Sequence, residues 1–199
     1  MRLLRLSLLF SQLISIIAIV VLYFFSVAVF QPEKIYPKHV HKTLFLDRYL
    51  DNDEAFFITY AALEWSKATK NIVEFDVVVL PNENVTITDN DIIMLSTSPE
   101  HPIIMLLDEE TKNSTLGYYD EHLPIPSIYL VSSRIKDSEY STVVLHELGH
   151  ALGLEHNEDI KGIGTLMYPN IIFGADHITI YDLNNFCKLY HCNPFKLKY

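Results

Sequence analysis

His146-Glu147-Leu148-Gly149-His150 sets two imidazoles four residues apart, with a carboxylate beside the first. On a helix of 3.6 residues per turn the two rings stand on one face, one turn from each other, and make a two-point grip for a metal ion. Glu147 is displaced around the helix but stays on the same side, where its carboxylate reaches a water at the metal rather than the metal itself. Val144, Leu148, Ala151 and Leu152 recur on the opposite face and seat the helix on a core. Gly153 can take the left-handed conformation that ends a helix and turns the chain, which returns His156 as a third ligand. Three neutral imidazoles with one open position are the donors of a catalytic zinc, since a structural zinc is closed by four protein ligands. Such a zinc draws the pKa of its water from about 16 towards roughly 7 and polarises a peptide carbonyl. Glu147 is then the general base for that water and the proton donor to the leaving amine. The chemistry is peptide hydrolysis.

Several elements have to hold that helix. The pattern predicts a short strand over Thr43–Leu46 and a helix capped by Asp51-Asn52-Asp53-Glu54, with Ile58, Ala61, Ala62, Trp65 and Ala68 on its buried face. The Val- and Phe-rich run from Ile72 to Leu80 reads as a buried strand, and Asp91–Ser96 and Ser127–Val131 as two more. Asp108–Thr115 is acidic and polar and reads as a solvated loop. Near the end, Thr179 is a fair N-cap for a helix whose buried face would be Ile180, Leu183, Phe186, Cys187 and Tyr190. Cys187 and Cys192 either form a small disulfide that pins the chain end to this helix or remain two free thiols.

The run His146-x3-His150-x2-Gly153-x2-His156 with Glu147 in place, followed by Thr165-Leu166-Met167-Tyr168-Pro169, resembles a metzincin zinc peptidase with its Met-turn. Leu148-Gly149, Gly153-Leu154 and the Leu-Met-Tyr-Pro turn are similar to the matrixin branch in particular. The resemblance implies an α+β, zincin-like fold: a mixed twisted sheet with an active-site helix, a Met-turn and a C-terminal helix. It makes Met167 the apolar floor beneath the imidazoles. It makes Leu116-Gly117-Tyr118-Tyr119 the edge strand over the cleft, which pairs an extended peptide through main-chain hydrogen bonds. Thr142, Asn170, Ile171 and Ile172 would line the pocket for the side chain just after the scissile bond, and the small Thr142 implies an open, apolar pocket for a medium or large hydrophobic residue. The sequence departs from matrixins in lacking their His-x-Asp pattern and Gly-rich loop, so one catalytic Zn2+ is expected. It also lacks the Pro-Arg-Cys-Gly inhibitory segment. There is no Tyr two places after Met167, unlike astacins, and Asn157 stands where matrixins usually have Ser.

Before all this, Arg2 and Arg5 precede a nearly unbroken apolar run from Leu6 to Phe30. About 20 residues cross a bilayer core, so residues 1–30 read as a transmembrane signal anchor, with 31–42 a spacer and 43–199 the peptidase domain. Ser26-Val27-Ala28 offers the alternative of a cleaved signal and a secreted domain. The two arginines keep the short N-terminus in the cytoplasm and put the domain outside. The chain carries 15 Lys plus Arg against 25 Asp plus Glu; without Arg2 and Arg5 the remainder is net −12, which disfavours nucleic acid as a partner. The expected partners are a protein or peptide substrate and, through the N-terminal helix, a membrane. Two function classes follow: an active zinc endopeptidase, or a zinc-stabilised module that holds peptides without cutting. Glu147 favours the enzyme, because a module that only binds has no chemical need of a base.

Overall fold

Asp51 opens the first helix as its residue type predicts. In the computed structural model its carboxylate accepts the backbone N–H groups of Asp53 and Glu54 at 2.9 and 2.8 Å, and the Glu54 carboxylate accepts the Asp51 N–H at 2.8 Å. This capping box fixes the start of the helix that backs the site. The structure describes residues 37–80, 86–88, 90–159 and 162–197, all within one unit, Tyr36–Tyr199. The N-terminal run read as an anchor or cleaved signal lies outside the described residues. Among the described residues, no helix is long and apolar enough to cross a membrane.

In chain order the elements are β1 (Val40–Leu46), α1 (Asn52–Ala68), β2 (Val73–Val79), β3 (Asp91–Ser96), the short α2 (Pro102–Met105) and α3 (Glu109–Ser114), β4 (Gly117–Asp120), β5 (Ser127–Leu130), α4 (Asp137–Ala151), α5 (Ile180–Tyr190) and a last turn, α6 (Pro194–Leu197). The five strands form one sheet in the order β2-β1-β3-β5-β4. Pairing is parallel through β2, β1, β3 and β5, while β4 runs antiparallel to β5 and closes one edge. The fold is α+β with a mixed sheet. Its main core lies between sheet and helices and centres on Leu44, Ile58, Trp65, Ile92, Ile128, Leu148 and Phe186. Each of these is fully buried.

Four readings from sequence change. β1 starts at Val40, inside the stretch read as spacer, because Val40 pairs with Val73 and its N–H bonds the Ile72 carbonyl. β2 is the outer edge of the sheet, not a buried strand: Val73 alone is buried, and Val78 and Val79 are exposed. The polar stretch after Asp108 forms α3, started by the Asp108 carboxylate accepting the Thr111 N–H at 3.0 Å. On α5, Ile180 faces solvent while Leu183, Phe186, Cys187 and Tyr190 are buried.

Candidate metal centre and active-site cleft

Helix α4 carries the first two histidines and ends where the sequence requires. The N–H groups of Gly153 and Leu154 return to the carbonyls of His150 and Gly149 at 2.8 and 3.0 Å, and Gly153 adopts φ +85°, open to glycine at no steric cost. The reversal brings His156 back to the helix. The Nε2 atoms of His146, His150 and His156 then lie 3.1 Å from one another in all three pairs.

The other ring nitrogens decide what that triangle is. His146 Nδ1 is 2.8 Å from the Leu166 carbonyl and His150 Nδ1 is 2.8 Å from the Leu154 carbonyl. A carbonyl only accepts, so both Nδ1 atoms carry the proton and both Nε2 atoms present lone pairs. Two lone pairs facing each other cannot hydrogen-bond; a cation between them resolves the conflict. The edge of 3.1 Å is also near the ~3.3 Å edge of a tetrahedron with zinc–nitrogen bonds of about 2.0–2.1 Å. Burial holds the rings neutral, drawing His146 down to about 4 against the pull of the Leu166 carbonyl. It draws His150 down to about 3, helped by His146 and His156. Desolvation lowers His156 as well, against Glu158. The donor set therefore fits a metal ion, and among the described residues it is the one cluster of this kind.

Glu147, next on the helix, is buried with 6% of its surface exposed. Burial pushes its carboxyl up to about 8, opposed by the backbone N–H of Tyr119 in β4. The strand phase explains that N–H. Val131 donates to the Leu116 carbonyl at 2.8 Å, so Leu116 and Tyr118 point their main-chain groups at β5, while those of Gly117 and Tyr119 point to the open edge. The predicted edge strand is thus β4, with Leu116 just before it.

Below the histidines, Met167 is 1% exposed and its Sδ rests on Gly149 of α4, where a Cβ would come within 2.4 Å of the sulfur. The turn itself is held by a residue that the sequence reading left unassigned. Asp182 accepts the N–H groups of Leu166 and Met167 at 3.1 and 3.2 Å, as well as the Thr179 N–H at 2.8 Å and hydroxyl at 2.6 Å. It caps α5 and clamps the Met-turn with the same two oxygens. Its signal was present as Thr179-x-x-Asp182, a capping box. A further main-chain bond, from Asn157 N–H to the Met167 carbonyl at 2.8 Å, ties the loop after His156 to the turn.

Thr142, Asn170, Ile171 and Ile172 all line one cleft of about 1130 Å3 together with β4 and the three histidines. Thr142 is buried in its wall, whereas Ile172 is 79% exposed and stands at its rim. Cys187 and Cys192 are joined in a disulfide across the end of α5. Trp65 is core: fully buried, with its Nε1–H donating to the Leu145 carbonyl of α4 at 2.9 Å.

A helix bearing two imidazoles and a buried carboxylate, a third imidazole returned by a glycine turn, and an edge strand across the cleft define a three-histidine centre of metallopeptidase type. The chain belongs to the matrixin family, whose sequence model matches residues 47–191. Short stretches align with interstitial collagenases: 47% identity over 45 residues with that of Sus scrofa, 59% over 34 with that of Oryctolagus cuniculus, and 38% over 60 with that of Equus caballus. These cover 23%, 17% and 30% of this chain but only 9%, 7% and 12% of the relatives, so the matches span about a tenth of those proteins. Among solved structures, two of myroilysin are similar at 17% identity. One covers 63% of this chain and 53% of that one with a TM-score of 0.35, the other 80% and 66% with 0.34.

Proposed function

We propose that this chain is a zinc-dependent endopeptidase in which Glu147 is the general base. The observation that carries the reading is the mutual 3.1 Å approach of three Nε2 atoms, two of them fixed as lone-pair donors, with a buried carboxylate beside those two on the same helix. His146, His150 and His156 would hold the ion, and the Leu166 and Leu154 carbonyls keep two of those rings in the binding tautomer. When bound, zinc supplies Lewis acidity towards a water and a peptide carbonyl. Gly117 and the Tyr119 carbonyl offer outward main-chain groups to an extended substrate, the Tyr119 N–H being held by Glu147, and that pairing needs no particular side chains. Glu147 takes a proton from the attacking water and returns it to the leaving nitrogen. Thr142, Asn170, Ile171 and Ile172 give the residue after the scissile bond an open, apolar pocket.

The test compares the full chain with Glu147→Gln for bound zinc and for cleavage of a quenched-peptide library. One zinc in each and cleavage only by the unaltered chain supports the reading; zinc in each and cleavage by neither points to the module that binds without cutting; absence of zinc overturns the centre. A library preference for charged residues after the cut would remove the pocket assignment.

The apolar run from Leu6 to Phe30 behind Arg2 and Arg5 supports a membrane-anchored enzyme with its domain on the extracytoplasmic side. The Cys187–Cys192 disulfide supports the same side, because disulfides persist in oxidising compartments. Digestion of the domain by protease added to intact cells is the expected result; protection would place it inside.

A further inference from the structure

Gly117 has no conformational reason to be glycine. It lies in a regular strand and is not among the glycines with positive φ, which are Gly153 and Gly164. Glycine weakens a strand, and where the backbone does not need it, close approach by another group is the usual physical cause. Here that group is identified. A Cβ on Gly117 would lie 2.7 Å from Cγ, 2.7 Å from Oε1 and 2.9 Å from Cδ of Glu147. Real carbon contacts do not come this close, so one partner would have to move.

The strand's alternation shows why the contact falls on this side chain. Gly117 and Tyr119 share the face towards α4, and Tyr119 packs there against the main core. Tyr118 points the other way, onto the smaller cluster of Ile104, Tyr129 and Val131. β4 therefore lies across the Glu147 side chain at the one residue that has no side chain of its own. A Cβ there would project at the carboxylate.

We propose that Gly117 is a positioning residue for Glu147: its missing side chain lets β4 cover the carboxylate and fix it beside the three histidines. The inference rests on the reading of Glu147 as the base and names the residue that sets where that base stands. Gly117→Ala leaves the imidazoles in place and displaces the carboxylate from its seat against β4 and from the Tyr119 N–H. A misplacement of about 1 Å costs on the order of 100-fold in rate.

The test is a pair of double-mutant cycles on the full chain. In the first, kcat and KM for a peptide substrate are measured for the unaltered chain, Gly117→Ala, Glu147→Gln and the double variant, each with its zinc content. The expected result is a fall in kcat of about 100-fold for Gly117→Ala, with KM within about threefold and one zinc retained, and no further loss when it is added to Glu147→Gln. The second cycle needs no activity: urea midpoints for Gly117→Ala with Glu147 intact and with Glu147→Ala. The substitution should lower the midpoint when the carboxylate is present and leave it unchanged or raise it when the side chain is cut back. Equal midpoint shifts in both backgrounds, or kcat within about threefold of the unaltered chain, would overturn the assignment of Gly117. A Glu147→Gln chain that still cleaves would instead overturn the base, and the urea cycle would still decide the contact.

Discussion

Helices α1 and α4 pack against each other; both have acids in the first turn and a largely apolar buried face, and they differ in how they start and in what else they bury. α1 has a complete capping box, acids in its first turn, Lys67 in its last, and only apolar residues on its buried face. α4 starts at Lys136, which makes no side-chain capping bond, buries the carboxylate of Glu147, and has Gly149 in its interior. That glycine alone disfavours a helix by roughly 1 kcal/mol against alanine. What α4 lacks internally its neighbours provide. Trp65 of α1 donates to its Leu145 carbonyl, Met167 fills the space over Gly149, and β4 covers Glu147. The lesson is a division of labour: the helix with the chemistry gives up a side-chain cap and an interior alanine that its partner does not, and its neighbours fill in around it.

Substitutions should separate along that line. The largest effect belongs to Glu147→Gln, which is expected to lower kcat/KM by about 10^2 to 10^4, the usual contribution of a general base, with thermal stability unchanged or higher because a buried carboxyl is removed. Steady-state kinetics beside a melting curve would check both halves, and a fall in both would break the comparison. Next comes pH in the zinc-free protein. His146 and His150 are drawn down to about 4 and 3, so below 6.5 the unfolded chain binds more protons than the folded one, and stability should drop as pH falls from 6.5 through that window. Glu147, pushed up to about 8, acts in the other direction: the folded state binds more protons between 4.5 and 8, and stability should decline as pH rises across that range. Urea titrations at several pH values would show both slopes, and Glu147→Gln should abolish the second alone.

Asp182→Ala comes third. Losing the acceptor for the Leu166, Met167 and Thr179 N–H groups should lower stability by about 1.5–3 kcal/mol, the range for hydrogen bonds to a charged group. Since the Leu166 carbonyl orients His146, zinc affinity should weaken too, read by competition with a chelator. Asp51→Ala is the smallest and sharpest. Loss of an N-cap should cost about 1 kcal/mol in a urea melt, with kcat/KM unchanged at low temperature. An activity loss beyond twofold there would mean that α1 takes part in the chemistry.

The same contrast explains what the sequence made legible. The centre stood out because metal chemistry fixes residue types at fixed spacing, and a glycine after His150 predicts the turn that brings His156 back. α1 was equally clear, since its cap and its apolar period are local. β2 was misread because a Val-rich run looks alike at the centre and at the edge of a sheet; position in the sheet is decided by pairing with β1, not by the run itself. α3 was missed because it has no apolar face and depends on Asp108 to start. Gly117 could be placed on the edge strand, yet its reason lies 30 positions away at Glu147, beyond the reach of any local pattern. Asp182 is intermediate: its capping role is local, while its grip on the Met-turn is long-range.

The strand at the opposite edge, β2, has a consequence for handling the protein. Among the described residues no strand pairs with its outer side, so the main-chain groups of alternate residues stand open there, and with Val78 and Val79 exposed this is an invitation to self-association. Glu74 and Asp76 alternate along it and repel a second copy of the same edge, though His41 sits within 3.8 and 2.8 Å of them. Salt screens this repulsion. Turbidity on concentration should therefore begin at β2 under those conditions, and a lysine at Val79 would be the gatekeeper that prevents it.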